Sequence, residues 1–387
     1  MQGATRLRVL VLNDLPSLPG PGYGGAEVSI GRISRALRKA GHDVREHSRP
    51  GPHVGAARAL ALWDPQERRR VRAIMESFKP HVIHVHNVLR ELSPSVLLSC
   101  GGVPVVMTVH DLRVVGITQG QGSSLERLLD ARFKQPMDAR IVRRTVTHYA
   151  AVSPVAARVL REHGIAPVTV VPPPGPDWEI AATPAVQCTD FVVVARLTPD
   201  KGVGVVVDAF TEIRDAFPAS RLIVVGEGPM GAELERRAGE RVVFTGRLAG
   251  AQVAAQLARA RAVIVASIPS IRPETSSMTA IEAASMGRPV IASSDEAVAS
   301  LVTSLGCGMV VPAGDVAALA AAMRALLESD STVAELAQTG QRNAALWHAP
   351  DAVALTYAAL YRSVISPDST VMLPPEGPRI DWSAAAR

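Results

Sequence analysis

At 387 residues and 47% hydrophobic content, the chain is too long for one ordinary core and suits two α/β domains of roughly 150–200 residues each. No apolar run reaches the roughly 18 residues of a membrane span, and aromatics at 4% leave little for base-stacking platforms. The net charge of +5 and pI of 9.4 rest on arginine, since the lysines are only Lys39, Lys79, Lys134 and Lys201; this suits an anionic ligand, and no nucleic-acid partner is expected.

Cys100, Cys188 and Cys307 are odd in number and far apart, which argues against a disulfide framework or a zinc cluster and fits a reducing cytoplasm. Met1 to Arg8 carries no apolar segment with a cleavage site, so no export signal is expected.

Along the chain, strand-length apolar runs alternate with stretches of helical period. Strands are expected at 7–12, 82–86, 103–110, 149–153 and 168–172. A helix over 26–40 has Val28, Ile30, Ile33 and Leu37 on one face and Gly41 as its stop. The pattern then restarts, with strands at 191–195, 222–225, 242–245, 262–266, 289–292 and 309–311 and helices at 203–217 and 278–286. Such alternation predicts doubly wound parallel sheets, twice over. The stiff Pro172-Pro173-Pro174-Gly175-Pro176 stretch reads as an interdomain hinge. An Ala-rich helix over 313–327 and an amphipathic one over 352–364 follow, and the Pro-containing tail over 366–387 is expected to be loose.

In open parallel sheets, ligands bind on the loops at the carboxyl ends of strands. The first such loop, Pro19 to Glu27, is glycine-rich. It reads either as a backbone cradle for phosphate ahead of a helix N-terminus or as a plain turn. Its Gly20, Gly22 and Gly25 match a dinucleotide fingerprint, but six residues separate them from the strand. Next, Arg196 at a strand end and Lys201 just before a helix place two cations beside free amides, an arrangement for a diphosphate or, blandly, two solvated charges. Gly226 and Gly228 form a common strand–helix turn, and Gly246-Arg247 ends the following strand with the same ambiguity.

The segment Glu274-Thr275-Ser276-Ser277-Met278-Thr279-Ala280-Ile281-Glu282 places one carboxylate in a loop and another inside a helix beginning near Ser276. The Thr275–Ser277 stretch can cap that helix. A carboxylate suits the two hydroxyls of a ribose, yet Thr279-x-x-Glu282 also reads as a capping box that would make Glu282 structural.

Taken together, Gly24-Gly25-Ala26-Glu27, Thr108-Val109-His110-Asp111, Arg196 with Lys201-Gly202, Gly226-Glu227-Gly228-Pro229, and Glu274 with Glu282 resemble the GT4 family of glycosyltransferases. The resemblance runs from Arg8 to Arg362. It implies a GT-B fold of two facing Rossmann-like domains, each a doubly wound parallel sheet, with a C-terminal crossover helix. The acceptor-side domain would be 1–172 plus the returning helix 351–365, and the donor domain 177–348.

It further implies that Arg196 and Lys201 hold the diphosphate and Glu282 the ribose. Glu274, with the amides of Thr275, Ser276 and Ser277, would hold the sugar. Gly226 and Arg247 would lie near the nucleotide, and Gly24 and Gly25 would face the diphosphate from the other domain. Two departures stand out. The glycine and aromatic common after the first glutamate are replaced by Thr275-Ser276-Ser277, and the usual Asn-Gly before the second domain by Pro173-Pro174-Gly175.

His110 reads from spacing alone as either a buried structural histidine or a group beside the sugar; the resemblance implies the second, with Glu274 as its companion. His84 and His86 point the same way on their strand, but as a metal pair they lack a third ligand. His86 and Asn87 are candidates for the acceptor pocket.

No D-x-D motif occurs, so no metal or cofactor is expected beyond a UDP- or GDP-sugar as co-substrate. Fixed cations would stabilise the departing diphosphate, and the resemblance implies transfer with retention. Acceptors implied are small molecules, lipids or saccharides. Open alternatives are a sugar-nucleotide epimerase or hydrolase, a non-catalytic nucleotide-sugar binder, and an NAD-dependent oxidoreductase using Gly20–Gly25 with Asp43 or Glu46. Arg68-Arg69-Arg70 with Arg72 reads as a solvated helix face or as contact with an anionic membrane at its inner face.

Overall fold

The computed structural model describes residues 6–14, 24–49, 63–89, 92–116, 134–269 and 273–367. They form two compact units: one runs up to Pro174 and takes in the stretch from Pro350, and the other spans Gly175 to Ala349.

In the first unit, β1 (Arg8–Asn13), β2 (Asp43–Ser48), β3 (Val82–Val85), β4 (Val105–Val109), β5 (His148–Ala151) and β6 (Val168–Val170) make one parallel sheet in the order β2-β1-β3-β4-β5-β6. Successive side chains on a strand face opposite ways, and both faces of this sheet are apolar. Leu10, Leu12, Ile83, Val85, Val105 and Met107 pack toward one layer, where α2 (Pro65–Phe78), α3 (Gln135–Thr145) and α4 (Pro154–Glu162) contribute Val71, Ile141, Val142 and Leu160. Val9, Val11, Val82 and Val106 face the other layer, built from α1 (Gly25–Lys39) and the last helix, α12 (Pro350–Ile365). Helix α12 buries Val353, Tyr357, Leu360, Tyr361 and Val364 there. Each such residue contributes roughly 1.5–3 kcal/mol when fully buried.

The second unit repeats the plan. Strands β7 (Asp190–Val194), β8 (Leu222–Val225), β9 (Val242–Gly246), β10 (Ala260–Val265), β11 (Val290–Ser293) and β12 (Gly308–Val311) lie in the order β12-β11-β10-β7-β8-β9, all parallel. The helices are α5 (Val203–Ile213), α6 (Gly231–Arg237), α7 (Gly250–Leu257), α8 (Met278–Ser285), α9 (Glu296–Leu305), α10 (Val316–Glu328) and α11 (Asp330–Trp347). The carbonyl of His348 accepts the N–H of Gly175 at 2.7 Å, so the chain enters and leaves this unit side by side.

One strand escapes the sequence reading. Edge strand β2 pairs only with β1, and of its residues only Val44 is buried, so Asp43-Val44-Arg45-Glu46-His47-Ser48 never shows the apolar run of a central strand. The strand expected over 103–110 is shorter, because Pro104 has no N–H to give and the ladder starts at Val105. The tail beyond 367, and Gly20 and Gly22, lie outside the described residues. No helix among the described residues is long and apolar enough to cross a membrane.

Candidate active site

In the second unit the chain runs from β7 outward to β8 on one side and places β10 on the other, so the sheet's topological switch lies between β7 and β10. Arg196 and Lys201 follow β7, and Glu274 follows β10. Backbone approach, not side-chain reach, brings these loops together. The amide of Ile268 donates to the carbonyl of Asp200 at 2.8 Å. Gly202, at φ +62°, presses so close to β10 that a Cβ would lie 2.0 Å from the carbonyl oxygen of Ala266; only glycine fits.

The result is an ionic cluster. The Lys201 ammonium donates to Oε1 of Glu274, and the Ser267 hydroxyl donates to the same oxygen at 2.9 Å. The amide of Glu274 in turn donates to Oδ2 of Asp295 at 3.0 Å. Arg196 is half exposed, 3.8 Å from the carboxylate of Asp200.

Asp295 and Ser267 are absent from the sequence reading, and Asp295 has two jobs. One oxygen accepts from Ala297 and Val298 at the start of α9, and the other holds the backbone of Glu274. Burial raises its pKa, against the hydrogen bonds it receives from Glu274, Val298 and Ala297. Its sequence signal, an Asp before a helix, marks a cap and gives no hint of a second client.

Ser277, the N-cap of α8, accepts the amide of Ala280 at 3.2 Å. Helix α8 therefore begins at Met278, as in the helix read over 278–286, and not at Ser276. Thr279 is its second residue, with its hydroxyl turned to the carbonyl of Val194 at 3.2 Å. That position cannot serve a Thr279–Glu282 capping box, so that reading is set aside. Glu282 lies buried further along α8, and Thr275 and Ser276 occupy the turn between Glu274 and the cap.

Gly226 has a packing reason of its own. At φ +142°, its Cβ would stand 1.8 Å from the carbonyl oxygen of Ala195, at the root of the Arg196 loop. Arg247 follows β9 and reaches Glu227 at 3.6 Å. Arg196, Gly226, Arg247 and Glu274 thus share the carboxyl edge of one parallel sheet.

The first unit assembles different chemistry. Its switch lies between β1 and β3. Gly24 is the N-cap of α1; its amide donates to Oε2 of Glu27 at 2.8 Å, which leaves the first-turn amides from Gly25 onward without intrahelical acceptors. The ends of β1 and β3 are sewn together, with the amide of Asn87 donating to Oδ1 of Asn13 at 3.2 Å and that of Asp14 to the carbonyl of Asn87 at 2.5 Å.

His84, His86 and His110 cluster on the α12 side of the sheet. His84 is satisfied at both nitrogens, by the Tyr361 hydroxyl at Nδ1 (2.7 Å) and Thr108 at Nε2 (2.7 Å). Thr108 passes on to the Tyr357 hydroxyl at 2.9 Å. His86 Nδ1 meets His110 Nε2 at 3.0 Å. Both nitrogens of His84 are engaged by Tyr361 and Thr108, and no group of three or more His, Cys, Asp or Glu among the described residues is arranged for a metal.

Burial drives all three rings toward the neutral form. It lowers His84 to about 3, with the nearby His110 adding to the effect. His110 falls to about 4, against the opposing pull of Asp111. His86 is pushed well below the ordinary histidine range by burial and by its two histidine neighbours.

The arginines of α2 divide. Arg68 stacks over the Trp63 ring at 4.4 Å and Arg70 pairs with Glu67, while Arg69 and Arg72 are exposed, as on a solvated helix face.

Comparison with known proteins agrees with this layout. Among solved structures, sucrose-phosphate synthase from Thermosynechococcus elongatus superimposes with a TM-score of 0.73 at 21% identity, covering 94% of this chain and 100% of that one. Anabaena Alr3699/HepE, solved with UDP and glucose, gives 0.67 at 18% identity, covering 92% and 100%. Both show the GT-B fold. Among sequence relatives, the phosphatidyl-myo-inositol mannosyltransferase of Mycobacterium leprae is 27% identical over 334 residues, 79% of this chain and 84% of its own length. A glycogen synthase of Mycobacterium tuberculosis is 26% identical over 367 residues, 82% and 86% of the two chains. The family model described as Glycosyltransferase Family 4 matches residues 23–174, and that described as Glycosyl transferases group 1 matches 188–329. The chain belongs to the GT4 family of glycosyltransferases.

Proposed function

We propose that this glycosyltransferase moves a sugar from a UDP- or GDP-sugar to an acceptor hydroxyl, with retention of anomeric configuration and without a metal ion. The observation that carries the reading is the Lys201–Glu274–Ser267 cluster at the β7/β10 switch point, with Arg196 beside it and the capped N-terminus of α8 just after it. Cleavage of the bond between anomeric carbon and phosphate leaves new negative charge on the diphosphate. Two fixed cations and free helix amides supply preorganised positive potential there. Glu282 would accept from the ribose hydroxyls and Glu274 from the sugar.

His110 is neutral at pH 7 and can act as a dipole toward the sugar. With the departing phosphate oxygen as base, the acceptor attacks the face that the phosphate leaves, which gives retention. The names of the relatives, a phosphatidyl-myo-inositol mannosyltransferase and a glycogen synthase, point to a lipid or saccharide acceptor.

A thermal-shift panel tests the donor class. A nucleotide sugar at a hundred times its Kd stabilises by about 2.7 kcal/mol, so one or more UDP- or GDP-sugars should raise the Tm, while NADH should not. Saturable NADH binding with no response to any nucleotide sugar overturns the proposal in favour of an oxidoreductase.

A further inference from the structure

We infer that His86 is a positioning residue whose task is to hold the His110 ring in its working orientation and tautomer. The contrast with His84, two residues earlier on the same face, carries the argument. His84 is a satisfied structural histidine, with a partner at each nitrogen. His86 is equally buried, but among the described residues its Nε2 has no hydrogen-bond partner, and its one ring hydrogen bond runs to His110.

Buried polar atoms are normally paired. A residue kept in place for stability alone would be expected to satisfy both nitrogens, as His84 does, or to be apolar. The cost is explained if the single contact has a purpose. Both rings are neutral near pH 7, so the His86–His110 hydrogen bond holds one shared proton and each ring fixes the tautomer of the other. His86 thereby engages Nε2 of His110 and fixes which edge of that ring faces β3.

Behind His86 stands a stiff support. Its ring lies 4.0 Å from that of His84, centroid to centroid. His84 is clamped by Thr108 and by Tyr361 and Tyr357 of α12, whose rings stack at 5.9 Å. The returning helix thus reaches His110 through an unbroken line of packed rings.

The proposal rests on the reading that His110 acts on the donor sugar, and the experiment separates the two. Steady-state kinetics and nucleoside-diphosphate binding are measured for His86→Leu, His86→Asn, His86→Gln and His110→Ala, and for His86→Leu combined with His110→Ala, with Tm recorded for each. Misplacing a reacting group by about an ångström costs tenfold or more, so His86→Leu should lower kcat about tenfold, with nucleotide Kd changed less than about twofold. His86→Asn, whose amide sits where Nδ1 was, should recover to within about threefold of wild type. His86→Gln, polar but with its amide at the Nε2 distance, should stay low, which keeps the test intact if the Leu variant fails to fold. In the His110→Ala background, His86→Leu should add no further loss. Wild-type kcat in His86→Leu, or an equal loss with and without His110, overturns the positioning role; wild-type kcat in His110→Ala overturns the underlying reading of His110 itself.

Discussion

The two units share a plan and differ in what they set at the carboxyl edge of the sheet. The first offers neutral imidazoles and phenols: His84, His86, Tyr357 and Tyr361 are buried, and His110 beside them is partly buried. The second offers charge: Arg196 is half exposed, Lys201 and Glu274 are partly buried, and Asp295 is buried beneath. Charge that meets a nucleotide before and during reaction governs binding and rate together. A neutral group that touches only the reacting sugar governs rate alone.

The sharpest way to break that comparison is at His110. His110→Ala should lower kcat by about 10²-fold while the Kd for free nucleoside diphosphate stays nearly unchanged, whereas Glu282→Ala should weaken nucleotide binding first. Parallel losses of nucleotide affinity in both variants would erase the division of labour between the units.

How much of this was legible beforehand follows the same line. The strand-end loops of the second unit could be read because their signals are local: Arg196 and Lys201 flank one turn, and Glu274 and Glu282 one helix start. The histidine cluster could not. His84 and His86 show their common face through alternation, but nothing local says that Tyr357 and Tyr361 arrive from the far end of the chain to seal it. Asp295 is legible as a helix cap, whereas its bond to the Glu274 amide depends on β10 and β11 lying side by side. Edge strand β2 hid because one-sided pairing removes the apolar pattern.

Acid sharpens the contrast next. A histidine whose folded pKa lies below its unfolded value of about 6.5 binds more protons when unfolded, so its contribution is intact above pH 6.5 and is lost as pH falls toward the folded value. For His84 at about 3 and His110 at about 4, that loss is roughly 2 kcal/mol each at pH 5, a factor of about thirty, with coupling between the rings reducing the sum. Asp295 acts with the opposite sign, because its pKa is raised by burial. Hydrogen exchange at pH 7 and pH 5 should therefore show β3 and β4 losing protection well before β10 and β11. Uniform loosening of both sheets would contradict the assignment of neutral histidines to the first unit.

A smaller effect is expected in the charged unit. If, as proposed, each cation contacts the diphosphate before reaction and more strongly as charge develops, Arg196→Ala and Lys201→Ala should each cost somewhat more than about tenfold in kcat/KM, with Kd and kcat both affected. Lys201→Ala should be the worse of the two, since it also strips Glu274 of its ion-pair partner and leaves that carboxylate with the Ser267 hydroxyl. Wild-type kinetics in both variants would reduce the loop to a solvated surface.

The smallest expected effect concerns metal. The sequence carries no D-x-D motif, and in the proposed function Arg196, Lys201 and the helix amides take the role a divalent ion would otherwise play at the diphosphate. If they do that work, dialysis against EDTA followed by assay without added metal should leave at least about half the activity. A metal bound only by the free nucleotide sugar would shift KM slightly and spare kcat, so full kinetic curves distinguish that case from participation in the chemistry. Complete loss of kcat, restored by Mg²⁺ or Mn²⁺, would show that the fixed cations of the second unit are not sufficient, and the comparison between a charged unit and a neutral one would then have to include an ion that neither supplies.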